Sequence, residues 1–516
     1  MQQYKILWAD DEIELLKPHI FFLEQKGYSV TPVNSGSDAL EEIDHNLFDI
    51  VFLDENMPGM SGLQTLNYIK STHPNLPVVM ITKSEEEEIM EEAIGAKIAD
   101  YLIKPLNPNQ ILLSVKKILD NKRIISEKTN KGYQRQFQQL AMQVMDARDH
   151  QEWTDLYRKL VYWELEIDDT EDKSMVEVLN SQKVEADANF SDFVLRNYED
   201  WISDPDADRP LLSHNMMKQE VFPLVGEEPV FMIVIDNLRF DQWKILEPEI
   251  SDLFNIESEE IYYSILPTTT AYARNALFAG LTPSEIARRY PDWWIDEEDD
   301  DKKNQFEKEL LGSNIARNRM PDRFSYNKIL KVEEGKNLSE NISNLMSNDL
   351  NAIVFNFVDM LSHARTDMQM IRELAPDESA YRSLTKSWFA HSTLLDTLKA
   401  LANQKVKVVI TTDHGTIRVN KPQKIVGDRN TNSNLRYKVG RNLAFNEKQV
   451  YYHREPEKIG LPKSRVSSTF VFAKDDHFFA YPNNFNYYAR HFKDTFQHGG
   501  ISMEEILIPL ITLSSK

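Results

Sequence analysis

The stretch Val408-Val409-Ile410-Thr411-Thr412-Asp413-His414-Gly415-Thr416 begins as a strand and breaks off in an acid, an imidazole and a glycine. Its β-branched run predicts a buried strand. In an open parallel sheet, ligands collect where strands end at their carboxyl edge. Two metal-ligand side chains at such an edge, followed by a glycine that lets the backbone turn, suit a metal centre. A capped strand end, with Asp413 as N-cap of the next helix, is the alternative. Other strand ends decide between the two.

Val230–Ile235 is a second buried strand, and it also ends in an acid, Asp236, followed by Asn237-Leu238-Arg239. Ala352–Val358 predicts a third, ended by Asp359, with His363 four residues on and therefore on the same side of the first turn. Pro267-Thr268-Thr269-Thr270 leads into a helical pattern that Gly280 ends, placing hydroxyls at a helix N-terminus, where free N–H groups suit a phosphate. His498-Gly499-Gly500 precedes a final strand, Ile506–Leu513. Three aspartates and three histidines offer oxygen and nitrogen without sulfur, which suits Zn²⁺, with Mn²⁺ as second choice. With a threonine added, seven ligands are too many for one tetrahedral ion and natural for two. A metal pair about 4 Å apart clamps the attacking and leaving oxygens of a displacement at phosphorus. One metal would also activate a threonine as nucleophile.

On these residues the chain over roughly 215–516 resembles the alkaline phosphatase superfamily, specifically its PglZ branch. The resemblance implies that Thr270, the second threonine of Pro-Thr-x-Thr, is the nucleophile. It also implies that Asp236, Asp413 and His414 join Thr270 on one zinc, while Asp359, His363 and His498 hold the other. Thr269 is the rival nucleophile, because the Thr-Thr-Thr run blurs the register. Arg274, one turn beyond Thr270, is expected to meet a phosphate oxygen, with a surface salt bridge as the alternative.

From Arg418 to Arg441 there are seven Lys/Arg against one acid, Asp428. The Asn, Ser and Gly content of this stretch predicts a loop that overhangs the metals, with Arg429, Arg436, Lys438 and Arg441 as phosphate contacts. In an acidic chain such an overhang favours a substrate with several phosphates. The expectation is a phosphodiesterase acting on nucleotides or short oligonucleotides. The acidic run Asp296–Asp301 predicts an exposed loop rather than a site.

The N-terminal part repeats the logic of strands ending in chemistry. Tyr4–Trp8 runs into Asp10-Asp11-Glu12, Asp49–Leu53 ends in Asp54, Val78–Ile81 in Thr82, and Asp100–Ile103 in Lys104. Strands alternating with helices predict a doubly wound parallel sheet, an α/β fold. Three clustered carboxylates call for a hard cation, Mg²⁺, and a lysine and a hydroxyl beside it would stabilise a phosphoryl group on one of them. Residues 3–120 resemble the receiver domain of two-component response regulators. That resemblance implies phosphorylation of Asp54, Mg²⁺ held by Asp10, Asp11, Asp54 and the Asn56 carbonyl, and a switch made of Thr82, Tyr101 and Lys104. Lys83 departs from the pattern, since the position after the switch hydroxyl is usually small.

Between these parts, Asn121–Asp208 shows aromatic and aliphatic residues at three- and four-residue spacing, which predicts a helical bundle. The expected division is therefore 1–120 receiver, 121–208 helical-bundle connector and 209–516 α/β alkaline-phosphatase-like domain, about what 516 residues accommodate. The connector lacks a basic recognition helix, and the net charge of −23 repels phosphate backbones, so sequence-specific DNA binding is not expected. No run approaches 18 apolar residues, so the expectation is a soluble cytoplasmic protein without a membrane partner. The absence of cysteine rules out disulfides and thiolate metal sites.

Receiver, helical bundle and PglZ-type domain in this order resemble the PorX-type response regulators of bacterial type IX secretion signalling. The resemblance implies a sensor histidine kinase as phosphodonor, a sigma factor as partner, and a phosphorylation-promoted homodimer. A protein that binds a phosphate-containing ligand or a sigma factor without turnover is the alternative.

Overall fold

Runs such as Ile50-Val-Phe-Leu and Val230–Ile235 carry apolar side chains at every position, because the central strands of the two large sheets are covered on both faces. The computed structural model describes residues 4–73, 76–83, 98–168, 173–295, 304–368, 372, 375, 377–427, 431–463 and 468–516. The chain divides into two units, 1–132 and 133–516.

The first unit holds β1 (Lys5–Ala9), β2 (Ser29–Val33), β3 (Ile50–Asp54), β4 (Val78–Thr82) and β5 (Asp100–Ile103), all parallel, in the order β2-β1-β3-β4-β5. Side chains alternate between two cores, as the period of two requires. Trp8, Phe52 and Val79 pack on one face with Ile111 and Val115, and Leu7, Val51 and Met80 on the other with Ala39 and Leu66. This is the doubly wound α/β fold expected of the receiver.

The second unit is built on β6 (Val230–Ile235), β7 (Phe254–Tyr263), β8 (Phe324–Ile329), β9 (Leu350–Phe355) and β10 (Lys407–Thr411). Five short strands follow, β11 (Ile417–Arg418), β12 (Lys421–Lys424), β13 (Tyr437–Gly440), β14 (Val450–His453) and β15 (Thr469–Ala473). The last are β16 (His477–Ala480), β17 (Phe496–Gln497) and β18 (Leu507–Ser515). The main sheet has the order β7-β18-β10-β6-β9-β8. Strands β10, β6, β9 and β8 run parallel, and β18 runs antiparallel to β10 and β7. The carboxyl ends of β6, β9 and β10, the end of β7 and the start of β18 therefore share one edge. Five connecting segments, each with a predicted site residue, meet there.

Helices His150–Asp168 and Lys173–Ser203, with the later part of Pro108–Asp146, bury Trp153, Tyr157, Phe190, Tyr198 and Trp201 against the main sheet. These are the rings whose helical spacing predicts a core. Among the described residues no helix is long and apolar enough to cross a membrane.

Two expectations are corrected. The third aspartate strand stops at Phe355, and Asp359 lies in the first turn of helix Phe357–Asp367. Val358 is buried in the helix layer rather than in the sheet. The basic stretch 418–441 is not one overhanging loop, since β11, β12 and β13 fall inside it and tie it to β17, β16 and β15.

Candidate metal centre

At the shared edge, Asp236, Asp413 and His414 form one cluster and Asp359, His363 and His498 a second, each offering ligand atoms within 4.8 Å of one another. His414 Nε2 is 3.7 Å from Asp236 Oδ1 and 3.8 Å from Asp413 Oδ2. Asp359 lies 3.5 Å from His363 Nε2 and 3.6 Å from His498 Nε2. Ligands about 2.0–2.1 Å from a tetrahedral zinc stand about 3.4 Å apart, so these separations need only a slight contraction around an ion.

Backbone carbonyls set both buried imidazoles. His414 Nδ1 is 3.1 Å from the Gly415 carbonyl and His498 Nδ1 is 3.3 Å from that of Thr268. A carbonyl only accepts, so Nδ1 carries the proton in each ring and the Nε2 lone pair faces the carboxylates, as a metal-binding histidine requires. The two rings stack at 4.3 Å, which brings the clusters side by side. His363 is the outermost of the six, its side chain 64% exposed.

The electrostatics leave room for cations. Burial, reinforced by the Asp236 charge, raises Asp413 and Asp359 to about 6. Burial also opposes ionisation of Asp236, but Arg274 and His414 outweigh it and hold Asp236 below its ordinary value. Burial and the neighbouring His414 and His363 push His498 well down, so it stays neutral. Asp413 Oδ2 is buried without a hydrogen-bond partner, an orphan that a metal would satisfy. The donor set fits two cations.

Thr270 opens the helical turn Thr270–Arg274, which continues as Asn275–Ala279 and closes at left-handed Gly280. Its Oγ1 lies 3.4 Å from Asp236 Oδ1 and 3.2 Å from His414 Nε2. Thr269 Oγ1 is buried without a hydrogen-bond partner, and the Thr268 hydroxyl donates to the Gly500 carbonyl at 3.0 Å. Gly415 answers a close approach: a Cβ there would stand 2.0 Å from the Glu504 carbonyl oxygen.

The expected phosphate contacts are placed differently. Arg274 is buried and bridges Asp236 (2.6 Å) and Glu307 (2.6 Å) instead of facing solvent, because these two buried carboxylates need its charge. Arg436 is buried on Glu505 at 2.6 Å, and Lys438 is buried with its ammonium 2.8 Å from the Asn432 carbonyl. Arg441 is exposed after β13, and Arg429 and the acidic run Asp296–Asp301 lie outside the described residues. Glu307 carried no sequence signal. It also takes hydrogen bonds from Tyr326 and Lys328, forming a shell behind Arg274. Asn237 was signalled only by its place after Asp236. Its backbone is left-handed (φ 66°), and its Nδ2 reaches Asp359 Oδ1 at 3.4 Å.

In the first unit, Asp10, Asp11 and Asp54 form a third cluster. Lys104 Nζ sits 2.8 Å from Asp10 and 2.6 Å from Asp54. The Asn56 amide donates to Asp54 Oδ2 at 3.0 Å. Thr82 is buried at the end of β4, and Tyr101 is half-buried on β5. Burial raises the Asp54 pKa, the Asp10 charge adds to that, and Lys104 works against both. Lys83 pairs with Glu12 at 2.7 Å.

Residues 216–513 match the model of the BREX system PglZ alkaline phosphatase-like domain, more than half of the 516 residues. The chain belongs to the PglZ alkaline phosphatase-like family. Residues 6–116 match the response regulator receiver domain and 123–202 the PorX response regulator linker domain, which together give the PorX-type order. The protein is thus a response regulator with a PglZ phosphatase-like domain, and its receiver implies a phosphodonor kinase.

The chain is 36% identical over 124 residues to the transcriptional regulatory protein ZraR of Escherichia coli, covering 24% of this chain and 28% of that protein. It is 34% identical over 122 residues to the alginate biosynthesis transcriptional regulatory protein AlgB of Pseudomonas putida, covering 24% and 27%. The chain thus spans less than a third of either relative's length. Among solved structures, a CheY-like receiver domain from Methanospirillum hungatei is 27% identical, covering 23% of this chain and 96% of that one, with a TM-score of 0.23. A receiver domain from Clostridium thermocellum is 28% identical, covering 23% and 98%, also at 0.23.

Proposed function

We propose that this PorX-type protein is a two-zinc phosphodiesterase acting on nucleotides or short oligonucleotides, controlled by phosphorylation of Asp54. The observation that carries the reading is the pair of tautomer-fixed imidazoles, His414 and His498, each facing an aspartate cluster at one sheet edge. Asp236, Asp413 and His414, with Thr270, would hold one ion, and Asp359, His363 and His498 the other; manganese is the second choice. Bound cations supply Lewis-acid polarisation of the phosphoryl group and a lowered hydroxyl pKa.

The remaining work falls to this chain's own residues. Asp236 and His414 hold the Thr270 hydroxyl in place from two sides. Its Oγ forms a bond to phosphorus as the bond to the leaving oxygen breaks, the hydroxyl proton passes to solvent, and the leaving alkoxide is protonated by water. Water then cleaves the threonine ester, restoring the hydroxyl and releasing the phosphate-bearing product. Arg274 acts behind Asp236 and keeps that carboxylate ionised and aimed. Because Arg436 and Lys438 are spent inside the fold, the oligonucleotide preference does not draw on those two cations.

In this reading 1–120 is the receiver, with Mg²⁺ at Asp10, Asp11, Asp54 and the Asn56 carbonyl, and Thr82, Tyr101 and Lys104 as its switch. The connector over 121–208 passes the switch to the effector over 209–516. Phosphorylation promotes a homodimer, a sigma factor is a partner, and the output bears on type IX secretion from the cytoplasm. The test is metal analysis of the full-length protein combined with a screen of monoester and diester substrates. Zinc-dependent diester turnover supports the reading, and a metal-replete protein that cleaves neither class contradicts it.

A further inference from the structure

The 17 residues from His477 to Lys493 contain seven aromatic residues and no acid, in a chain of net charge −23. Four of the rings fall on the helix Phe485–Phe492. Its i,i+4 spacing builds two parallel stacks on neighbouring faces, Tyr487 on His491 (5.7 Å, 7°) and Tyr488 on Phe492 (6.1 Å, 9°). Tyr487 is 60% exposed and Tyr488 36%. Phe485 lies under the Lys424 ammonium at 5.0 Å, and Arg490 and Lys493 are exposed beside the rings.

The helix is tied to the rim of the metal centre. Phe492 packs with Ile417, Val419 and Phe478, and Arg418 pairs with Asp494 at 2.9 Å. The chain then enters β17, which pairs with β11 just past Asp413-His414, and continues to His498. His498 is six positions past Phe492, a span of at most about 20 Å, within reach of a few nucleotides.

Exposed rings flanked by cations, on a helix that itself carries no acid, match what a single strand needs. Bases stack on aromatics irrespective of sequence, and the cations answer the phosphate backbone. We propose that helix Phe485–Phe492 is a stacking platform for the bases of a single-stranded oligonucleotide whose scissile phosphodiester lies at the metal centre. This rests on the phosphodiesterase reading above for the chemistry at the centre, and on the helix itself for binding.

The test uses full-length zinc-loaded protein and fluorescein-labelled hexathymidylate with phosphorothioate linkages, which resist cleavage, with binding followed by anisotropy. Doubly substituted Tyr487→Ala/Tyr488→Ala weakens binding by about tenfold or more, the scale of lost base–aromatic stacking. Tyr487→Phe/Tyr488→Phe, which keeps the rings, restores binding to within about twofold. Equal binding by the alanine variant and the parent overturns the platform, as does binding that is absent from the parent; a protein partner would then be the occupant of these rings. Turnover of ordinary hexathymidylate by the parent is scored separately. Binding without turnover overturns the phosphodiesterase reading and leaves the platform standing.

Discussion

Arg274 places its guanidinium 2.6 Å from Asp236 Oδ2, with both side chains buried. One turn past Thr270, the same helix thus supplies the hydroxyl and the cation behind the carboxylate that hydroxyl meets. Removing one partner of a buried ion pair strands the other's charge, at a cost of about 3–5 kcal/mol. Arg274→Ala is therefore expected to lower the unfolding free energy by that order and to reduce metal content, because Asp236 then takes up a proton more readily. Unchanged stability and unchanged zinc content in the variant would rule out the positioning role.

A second prediction concerns pH. Asp359 and Asp413 are raised by burial and by the Asp236 charge to about 6 in the folded, metal-free chain. An unfolded aspartate ionises near pH ~3.9. Between those values the folded state holds more protons, so these two groups make the metal-free protein less stable as pH rises toward and through about 6. Cations bind the ionised carboxylates and reverse that loss. The difference in Tm between zinc-loaded and metal-free protein should widen from about pH 5 to about pH 7.5. A difference that stays flat over this range contradicts the assignment of the two aspartates.

Arg382 links the helical connector to the loop that follows Asp236. Its Nη1 is 2.7 Å from Glu164 and 2.8 Å from Asp241, and Asp241 pairs in turn with Arg239, three residues past Asp236. Lys183 closes the network on Glu164 at 2.7 Å and Glu504 at 3.3 Å. Buried networks of this kind hold one arrangement when fully satisfied. Glu164→Gln is expected to lower stability by about 1–3 kcal/mol. It should also weaken the response of turnover to a small phosphodonor more than turnover itself. If the response survives intact, signal passage runs elsewhere.

In the receiver, Lys83 and Glu12 pair beside the Asp10–Lys104–Asp54 cluster, where most receivers carry a small side chain. The reading to be tested is that this pair narrows the approach of water to a phosphoryl group on Asp54. Lys83→Ala should shorten the aspartyl-phosphate lifetime severalfold, read by phosphate release after loading with a small phosphodonor, while Asp54→Ala accepts no label. An unaltered lifetime in Lys83→Ala assigns the pair no gating role.

Much of this molecule was legible before its structure, for a physical reason. Parallel strands buried on both faces read as apolar runs, and their ends fall on one sheet edge, so Asp236, Asp413 and His414 can be brought together from strand order alone. His498 was less constrained, because its position depends on β18 running antiparallel and starting at that same edge. Glu307 was not legible. Its partner Arg274 read as a phosphate contact, with a surface salt bridge as the alternative, and nothing local signals that a charge will be buried against another from a segment over thirty residues away. The basic stretch misled for the same reason. Arg436 and Lys438 look like a cationic loop in sequence, yet Glu505 and the Asn432 carbonyl draw them into the fold. The third aspartate strand was read three residues too long, since Phe357 and Val358 continue its apolar pattern into a helix.

The central claim is hydrolysis at Thr270 over two cations, and it is tested most directly by zinc-loaded full-length protein acting on bis(p-nitrophenyl) phosphate. Parent protein should release nitrophenolate, Thr269→Ala should retain turnover within about tenfold, and Thr270→Ala should lose it by about a thousandfold or more with its zinc content intact. A folded, zinc-replete Thr270→Ala variant that turns over at the parent rate would contradict the account.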